Sequence, residues 1–573
     1  MGINVNIPRP GRKQTYDAIV VGSGISGGWA AKELTEKGMN VLLLERGRPV
    51  EHGPGYITEH QPPWEAEFRG REDRHKIREN QYLQSQAGPL NEYNAHFFVN
   101  DRENPYTFDE DKPFLWIRGY HLGGRSIMWG RQSYRWSDLD FEANAREGIA
   151  IDWPIRSADL APWYDHVERF AGISGRAENM PQLPDSQFLP PMPFSAGEAK
   201  VKAGIEAAFP DRRMTIGRAA VLTQPHNGRA ACHYCGPCER GCSVGAYFCS
   251  LSTTLPAAMN TGRLTLRTHS IVHALMYDEG RNRVTGVRVI DAETHDHLEF
   301  HGRIVFLCAS ALASTQILMM TTSPRYPNGL GNSSGALGHY VMDHHFKVGA
   351  SGAVPGLEDR YTYGNRPNGI YVMRFRNLDE RTRHPDFVRG YGYQGAAWRD
   401  GWGRGIWQRG VGMELKNRLR TPGPWRMGLW GFGEMLPNYD NYITLDRHVT
   451  DAWGIPALRI HCTIGDNERA MRRDMATAGA EMLEAAGCTD VSGNEDVYRP
   501  GEGIHEMGTA RMGRDPETSV LNSWNQLHDV PNVFVTDGAC MTSAACQNPS
   551  LTYMALTARA CDYAVEATKR GEL

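Results

Sequence analysis

The pattern of apolar and polar residues near the N-terminus predicts a strand, a helix and a second strand. Short apolar runs at 18–21 and 41–44 have the length of buried strands, and residues 25–37 between them have helical spacing. Three glycines lie where the first strand passes into the helix. This order predicts a βαβ unit, the building block of α/β domains with a parallel sheet.

The pattern changes further along the chain. After Ser250 the segment LSTTLPAAM predicts a helix, LTLRT and VTGVRVI predict strands, and HGRIVFLCASALASTQIL from His301 predicts another strand and helix of the first domain. Between Gly349 and Arg499, aromatic and turn-rich segments such as YGYQGAAWRDGWGRGIW and NYITLDRHVTDAWGIPALRIHC predict an antiparallel sheet. We therefore expect a discontinuous α/β domain and a second, α+β domain built on an antiparallel sheet.

Length and composition limit the classes of protein to which the chain can belong. A chain of 573 residues is long enough for two or more domains, and 40% hydrophobic with 22% charged residues is typical of a globular protein. The formal net charge of -4 gives no basic surplus for nucleic-acid binding, so no nucleic-acid partner is expected. We expect no membrane span, since no window has the roughly 18 apolar residues of a spanning helix, and no signal peptide at the N-terminus.

The glycine-rich turn has the spacing of a dinucleotide-binding motif. Gly22 permits a tight turn, Gly24 allows a pyrophosphate to approach the backbone, and Gly27 allows the helix to pack closely against the strand. Ser23 lies between the first two glycines, and Glu45 ends the second strand about 20 residues later, where it would accept a hydrogen bond from a ribose hydroxyl. The motif predicts a dinucleotide site without separating FAD from NAD.

Five cysteines lie close together in the segment ACHYCGPCERGCSVGAYFCS at 231–250. Four of them have the CxxCxxCxxxC spacing of bacterial ferredoxins and are candidate ligands of an iron–sulfur cluster: Cys232, Cys235, Cys238 and Cys242. The spacing does not separate three ligands from four, and Ser243 replaces the proline of ferredoxins. A zinc site and disulfides stay open as alternatives, although zinc sites usually separate two CxxC pairs by a longer loop. Cys249 is expected to be a buried thiol.

Three further segments carry a family resemblance. They read RGYHLGGRSIMWGR from Arg118, GEGIHEMGTARMG from Gly501 and NVFVTDGACMTSAACQNPSLTYMALTAR from Asn532. Together with the N-terminal motif they resemble the glucose-methanol-choline (GMC) oxidoreductases, flavoproteins that oxidise alcohols and sugars. The resemblance covers nearly the whole chain and implies a Rossmann-like FAD-binding domain with a substrate domain over the flavin.

The resemblance also implies the site residues. The catalytic pair carried over from the IHEMGT and QNP motifs is His505 and Asn548. The imidazole would accept the hydroxyl proton of the substrate, and the carboxamide would hold the substrate oxygen. Met128 stands where pyranose oxidases carry the histidine that binds their flavin, so noncovalent FAD is expected. Further cofactor contacts are expected from the same motifs: Gly124, Ser126, Asp537, Asn548 and Pro549.

The cysteine run followed by VGAYF is similar to that of the catalytic subunits of bacterial glucose, fructose, gluconate and glucoside 3-dehydrogenases. The likeness implies an iron–sulfur cluster, of the 3Fe-4S type in preference to 4Fe-4S, a small signal-bearing subunit and a cytochrome c acceptor. It also implies a periplasmic location through that subunit, or a cytoplasmic one without it. The implied reaction oxidises a secondary hydroxyl of a sugar or glycoside, with C3 favoured, to a ketone. A GMC oxidase that uses O2, and a flavin electron-transfer subunit without its own substrate, stay open as alternatives.

The motifs divide the chain into two expected domains. The FAD-binding domain, with the cysteine loop at 231–250, would comprise 1–60, 110–160, 220–348 and 500–573. The substrate-binding domain would comprise 61–109, 161–219 and 349–499. Five tryptophans of this second domain are candidates for stacking on pyranose rings, although core packing is the more frequent role: Trp398, Trp402, Trp407, Trp425 and Trp430.

Overall fold

The computed structural model describes residues 15–71, 73–88, 90–401, 404–405, 408–496 and 498–573. The strands are β1 (Thr15–Val21), β2 (Val41–Leu44), β3 (Thr107–Phe108), β4 (Ile173–Ser174), β5 (Phe188–Leu189), β6 (Met214–Ile216), β7 (Leu264–Arg267), β8 (Ser270–Asp278), β9 (Arg283–Asp291), β10 (His297–Leu307), β11 (His344–His345), β12 (Val348–Val354), β13 (Ile370–Val372), β14 (Tyr391–Arg399), β15 (Trp425–Glu434), β16 (Tyr442–Thr450), β17 (Pro456–His461), β18 (Thr489–Glu495) and β19 (Val533–Val535). The α-helices are α1 (Ile25–Glu36), α2 (Arg74–Asn80), α3 (Asp138–Phe141), α4 (Ala143–Glu147), α5 (Ser157–Ala171), α6 (Ala196–Ala208), α7 (Thr254–Asn260), α8 (Ala311–Met320), α9 (Gly412–Arg420), α10 (Asp466–Ala485) and α11 (Ser550–Lys569).

The first sheet has the order β7-β2-β1-β10-β9-β8, and β19 also pairs with β10. Strands β7, β2, β1, β10 and β19 are parallel, whereas β9 and β8 extend β10 as an antiparallel ladder. The apolar side chains of β1 and β2 are all buried, as expected for central parallel strands covered by helices. Helix α1 packs against α7 and α11. The βαβ unit predicted from the sequence is confirmed.

The second sheet is antiparallel and has the order β18-β12-β15-β14-β13-β6, with β11 paired to β15. Helix α10 packs on β12, β15 and β18. Its residues Met471, Met475 and Met482 are fully buried in the core between helix and sheet. The predicted antiparallel platform is therefore confirmed.

Smaller pairings complete the fold. Strand β17 pairs antiparallel with β16 and parallel with β3, and β4 pairs with β5. Strand β11 lies in the range 220–348 that the sequence assigns to the FAD-binding domain, yet it belongs to the second sheet. The domain boundaries themselves stay a prediction. Within the part of the chain that the structure describes, no helix has both the length and the apolar surface needed to cross a membrane.

Candidate active site

Residues of both sheets line one cavity of about 460 Å³. This volume falls within the roughly 300–1,000 Å³ of typical ligand pockets. All residues expected at the cofactor and catalytic positions line it, except Gly27 and Pro549. The lining residues among them are Gly22, Ser23, Gly24, Glu45, Gly124, Ser126, His505, Asp537 and Asn548. Motifs from both ends of the chain and from its middle thus meet in one place.

The turn after β1 presents backbone atoms to the cavity. Gly22 has a φ of +94°, and a Cβ there would lie 2.4 Å from the carbonyl oxygen of Cys308. A Cβ on Gly27 would lie 1.8 Å from the carbonyl oxygen of Gly22, so only glycine lets α1 follow this turn so closely. Gly24 is the N-cap residue of α1 and lines the cavity. The partial positive charge of this helix end favours a diphosphate at the wall.

Glu45 lies at the cavity wall, but its carboxylate is already hydrogen-bonded to the protein. One oxygen accepts from the backbone N–H of Ser23 at 3.1 Å and from the Ser23 hydroxyl, and the other accepts from the N–H of Gly47 at 2.8 Å. Burial raises the pKa of Glu45, and these hydrogen bonds oppose that shift. Because a carboxylate oxygen has two lone pairs, the oxygen bonded to Gly47 can still accept from a ribose hydroxyl. The ribose contact stays a prediction.

The loop that carries Gly124 and Ser126 closes over the same turn. A Cβ on Gly124 would lie 3.2 Å from the Cα of Gly24, so two backbone segments approach each other closely here. The hydroxyl of Ser126 accepts from the N–H of Ser250 at 3.0 Å. These contacts join three segments that are far apart in sequence at one end of the cavity.

Asp537 and the start of α11 form another side of the cavity. The carboxylate of Asp537 accepts from the N–H of Ala539 at 3.0 Å, and burial raises its pKa to about 6. Pro549 is the N-cap residue of α11, which begins at Ser550 as the sequence predicts. The neighbours of this proline, Asn548 and Ser550, line the cavity.

His505 lies on a loop that one buried carboxylate organises. The carboxylate of Asp343 accepts hydrogen bonds from three backbone N–H groups at 2.9–3.0 Å, those of Gly501, Gly503 and His505. It also accepts from the hydroxyl of Tyr498 at 3.0 Å. Burial raises the pKa of Asp343 to about 6. The protein itself therefore fixes the backbone that presents the imidazole.

A hydrogen-bond chain passes through the His505 side chain. Nε2 of His344 donates to the carbonyl oxygen of Ala545, so Nδ1 of His344 carries no proton and accepts from Nδ1 of His505 at 2.8 Å. Nε2 of His505 is then the unprotonated nitrogen, and it accepts from Nδ2 of Asn548 at 3.3 Å. Nε2 of Gln394 donates to Oδ1 of Asn548 at 2.6 Å, which turns the amide NH2 toward His505. This series of hydrogen bonds leaves a lone pair on Nε2 of His505, which faces the amide donor of Asn548.

The surroundings keep both imidazoles neutral. Burial, His344 and the guanidinium of Arg125 lower the pKa of His505 well below its usual value of 6.5. Burial lowers the pKa of His344 to about 4. Arg125 is itself held by two hydrogen bonds to Glu506, at 2.7 and 3.1 Å. A neutral His505 with an unprotonated Nε2 can act as a general base at neutral pH.

Sequence reasoning missed the residues that position this pair. Asp343 and His344 stand in the segment MDHHF, and an acidic residue before two adjacent histidines was the available signal. Gln394 carried no signal, because it reaches Asn548 only through the placement of β14 in the second sheet. Arg125 stands inside the GGRS segment, but its partner Glu506 lies far away in the sequence.

Comparisons with known proteins identify the family. Models for the N-terminal and C-terminal parts of GMC oxidoreductases match residues 16–345 and 437–557. The chain belongs to the GMC oxidoreductase family. It is 30% identical to 2-methyl-1,2-propanediol dehydrogenase of Mycolicibacterium austroafricanum, over 96% of this chain and 94% of that protein. It is 24% identical to the fructose dehydrogenase large subunit of Gluconobacter japonicus, over 97% of this chain and 98% of that protein.

Solved structures show the same fold. Formate oxidase of Aspergillus oryzae matches with a TM-score of 0.61 at 14% identity, over 98% of this chain and 100% of that chain. GMC oxidoreductases bind FAD and oxidise alcohol and sugar CH–OH groups. The family, the fold class, the FAD cofactor and an oxidoreductase activity on CH–OH groups, all expected from the sequence, are therefore confirmed. The roles of individual residues stay predictions.

Near His505 the wall of the large cavity is aromatic. The rings of Phe346 and Phe432 stack with their centroids 4.8 Å apart, and the Phe432 ring lies 6.2 Å from that of His505. Both phenylalanines line the cavity. Met128 lines it as well, so the residue that replaces the flavin-linked histidine of pyranose oxidases lies at the cavity wall. Noncovalent binding of FAD stays a prediction.

The five candidate tryptophans have different surroundings. Trp425 is 2% exposed and lies in the core of the second sheet, so it is not a stacking surface. Trp402 and Trp407 lie outside the described residues. Trp398 and Trp430 stack on each other, with centroids 6.2 Å apart, on the exposed face of the second sheet.

The four candidate cluster ligands line a second cavity of about 20 Å³, which has room for about one water molecule. Their thiols are free, Cys235 is exposed, and burial raises the pKa of Cys238 to about 11. Among the residues that the structure describes, no three His, Cys, Asp or Glu side chains converge as the ligands of one metal ion do. Cys249 is buried, as predicted.

A cation–π contact connects the walls of the two cavities. Arg131 lines the larger cavity, and its guanidinium lies 5.3 Å from the ring centroid of Tyr247, which lines the thiol cavity. Glu239 of the cysteine loop also lines the larger cavity. The cysteine loop therefore folds back onto the large cavity, as the elements that follow it predict.

Proposed function

We propose that this GMC oxidoreductase is a dehydrogenase that oxidises a secondary hydroxyl of a sugar or glycoside, C3 in preference, to a ketone. The observation that carries the proposal is the unprotonated Nε2 of His505, which faces the amide of Asn548 at the wall of the large cavity. Oxidation of a carbinol needs a base for the hydroxyl proton, and this nitrogen is held in the base form.

In the proposed mechanism the substrate hydroxyl approaches His505 and Asn548 from the cavity and replaces the hydrogen bond between them. Nε2 of His505 accepts the hydroxyl proton, while Nδ2 of Asn548 donates to the same oxygen and fixes the direction of the C–H bond. General-base catalysis of this kind contributes about 10²–10⁴-fold to the rate. Nδ1 of His505 stays bonded to His344, so the ring keeps its orientation as it takes up the proton. When bound, FAD supplies the acceptor for the hydride.

The residues present fit FAD. The glycine turn at 22–24 and the N-terminus of α1 would hold the diphosphate, and Glu45 would accept from the adenosine ribose. Asp537 would lie beside the ribityl chain or the diphosphate, and the α11 terminus after Pro549 would face the pyrimidine end of the flavin ring. Donors and acceptors from four separate segments thus face one cavity.

The cysteine loop would hold the proposed iron–sulfur cluster through ligands drawn from the four thiols, with the three-iron type favoured. Its support is that all four line one cavity as free thiols. The four cysteines have the CxxCxxCxxxC spacing of bacterial ferredoxins and lack the longer loop that usually separates two CxxC pairs in zinc sites, which favours iron over zinc. The cluster would supply single-electron transfer away from the large cavity.

The cavity between the thiols is smaller than such a cluster. The loop would therefore reach its final form only as the cluster assembles, because metal binding and local folding are coupled. Iron and acid-labile sulfide analysis with electron paramagnetic resonance tests this assignment. Zinc in place of iron would contradict it.

A small signal-bearing subunit and a cytochrome c acceptor belong to the same proposal. Their support is the similarity, over nearly the full length of both chains, to a protein named as the large subunit of fructose dehydrogenase. The small subunit would bring the enzyme to the periplasm, and without it the enzyme would stay in the cytoplasm. Purification from native cells, with identification of co-purifying chains in each cell fraction, tests both statements.

A small alcohol or diol is the second candidate substrate. The relative with 30% identity is named for 2-methyl-1,2-propanediol, and the stacked Phe346 and Phe432 give the wall near His505 an apolar surface. For the second half of the reaction, O2 is the alternative acceptor. Reduced enzyme that reacts rapidly with O2 and slowly with ferricyanide would favour an oxidase.

Anaerobic titration of the FAD-loaded enzyme tests the substrate class. Methyl glycosides, free sugars and short diols are added in turn, loss of the visible flavin absorbance reports reduction, and NMR identifies the product. A keto sugar supports the proposal, and reduction by diols alone supports the second candidate. An enzyme whose flavin none of these compounds reduces would be closer to an electron-transfer subunit.

A further inference from the structure

The second sheet extends the wall of the active-site cavity beyond Phe432. Strands β14 and β15 pair so that Gln394 lies opposite Trp430 and Gly392 lies opposite Phe432. Alternate residues of a strand share one face, so Gln394, Trp430 and Phe432 are on the same face of the sheet. Gln394 and Phe432 line the cavity, which places Trp430 directly beside it on a continuous surface.

Trp430 and Trp398 meet on this face of the sheet, and the pair is here called the tryptophan platform. Their rings stack with centroids 6.2 Å apart and an angle of 12° between the planes. A Cβ on Gly428 would lie 3.0 Å from Cζ2 of Trp430 and 3.1 Å from Cζ3 of Trp398, so both indoles extend over a position that has no side chain. Trp430 is 41% exposed, whereas Met427 and Leu429 on the opposite face are fully buried.

Polar groups border the platform on one side. The carboxylate of Asp400 accepts from Nε1 of Trp398 at 3.2 Å and from Nε of Arg426 at 2.9 Å. The Arg426 side chain is 41% exposed. Arg426 lies opposite Trp398 in the strand register, hence on the platform face. An exposed aromatic surface beside a guanidinium and a carboxylate suits a ring with an apolar C–H face and a rim of hydroxyl groups.

We propose that the tryptophan platform binds the second pyranose ring of a glycoside whose first ring is oxidised at His505. Trp430 is the cross-strand neighbour of Gln394, and such neighbours have Cβ atoms about 4.5–5.5 Å apart. Gln394 in turn donates to Asn548 at 2.6 Å. A ring linked to the one at His505 therefore reaches the platform directly. The inference rests on the proposed function and names disaccharides and longer glycosides as the preferred substrate class.

The test compares Trp430→Ala with Trp524→Ala in the FAD-loaded enzyme. Trp524 is a matched control because it is 36% exposed and also stacks on another ring, that of Tyr563, at 4.7 Å. It does not line the cavity. The probes are methyl α-glucopyranoside with maltose and methyl β-glucopyranoside with cellobiose, and the readout is the KM and kcat of anaerobic flavin reduction.

Loss of the platform should affect only the larger sugars. Trp430→Ala should raise the KM for the disaccharides about tenfold, since it removes one aromatic stacking contact, and leave kcat unchanged. The KM for the methyl glucosides should change by less than about twofold, and Trp524→Ala should change neither value. Trp430→Phe should keep most of the disaccharide preference.

Three results would overturn the inference. The first is that disaccharides and methyl glucosides have equal KM values in the unaltered enzyme. The second is that Trp430→Ala raises the KM of both kinds of sugar by the same factor. The third is that the enzyme prefers phenyl glucoside to the disaccharides. If no sugar reduces the flavin, the proposed function fails instead. Tryptophan fluorescence of the oxidised enzyme, titrated with maltose and cellobiose, then tests whether the platform binds sugar. Quenching that Trp430→Ala abolishes supports binding, and the absence of quenching refutes it.

Discussion

The loop that carries His505 and the loop that carries the four thiols are held by different kinds of contact. The carboxylate of Asp343 binds three backbone N–H groups of the His505 loop, and the imidazole is hydrogen-bonded through both ring nitrogens. In the cysteine loop the thiols face a small cavity, Cys235 is exposed, and Cys238 is half-buried. Protein groups hold both loops, but in the proposed function the second would also be held by a cluster bound to its thiols.

This difference separates two steps of the reaction. Removal of the hydroxyl proton needs only groups that are already in place, because Asp343, His344 and Gln394 fix the loop, the ring and the amide. In the proposed function, electron exit would depend instead on a cluster bound by the cysteine loop. Variants of the two loops should therefore affect the rate of flavin reduction very differently.

The largest effect on flavin reduction is expected from His505→Ala. The substitution removes the base, so the rate of reduction by substrate should fall by about 10²–10⁴-fold. FAD should stay bound, because the substitution leaves the glycine turn and the α1 terminus unchanged, and the His505 side chain hydrogen-bonds to His344 and Asn548 instead. Stopped-flow measurement of reduction and the flavin-to-protein absorbance ratio check both statements. Reduction at an unchanged rate would remove His505 from the mechanism.

His344→Phe should have the next largest effect. Phenylalanine fills the space but removes the acceptor for Nδ1 of His505, so the proton can move to Nε2 and block the base. The expected loss is about 10–100-fold in kcat, with little change in KM. Restoring an acceptor with His344→Gln should recover most of the rate, because the glutamine amide can also donate to the carbonyl of Ala545.

A purely structural role of His344 gives a different pattern. Both variants would then lower thermal stability and activity together, and the pH profile of flavin reduction would keep its shape. Tautomer control predicts instead that His344→Phe changes the pH profile at a near-constant FAD content. Thermal unfolding followed by flavin fluorescence provides the comparison.

The pH dependence should show a smaller effect. Burial, His344 and Arg125 lower the pKa of His505, so the proton that inactivates the base binds only below the usual pKa of 6.5. The value of kcat/KM should therefore stay constant as the pH falls from about 8 to about 6.5, and decline only at lower pH. Anaerobic reduction across this range measures it. An acid limb centred above pH 6.5 would contradict the assigned surroundings of His505.

Local sequence patterns predicted the parts of the molecule that depend on local geometry. The turn at Gly22 and the start of α11 after Pro549 are both set by backbone requirements within a few residues, and both occur as expected. Asp343 and Gln394 could not be predicted in the same way. Each contacts the catalytic pair only because the second sheet places it there, through β11 and β14, and such long-range pairing leaves no periodic signal.

The tryptophans show the same limit. Trp425 and Trp430 lie five residues apart on one strand and look equivalent in the sequence. An odd separation on a strand places two side chains on opposite faces, so one is buried under helices and the other is exposed beside the cavity. Which of the two tryptophans is buried depends on which face of the sheet α10 covers.

The smallest effect on flavin reduction is expected from Cys238→Ser. The substitution removes one candidate cluster ligand, so iron content and electron delivery to cytochrome c should be lost, while single-turnover reduction of the flavin by substrate should stay within about twofold. Loss of iron should also increase hydrogen exchange within 231–250 but not within 501–505, because Asp343 still holds the latter loop. Cys249→Ser is the matched control, since this thiol is buried outside the predicted ligand set. If Cys238→Ser slows flavin reduction as strongly as His344→Phe does, the two loops are not independent, and the active site would need the cluster for its own geometry.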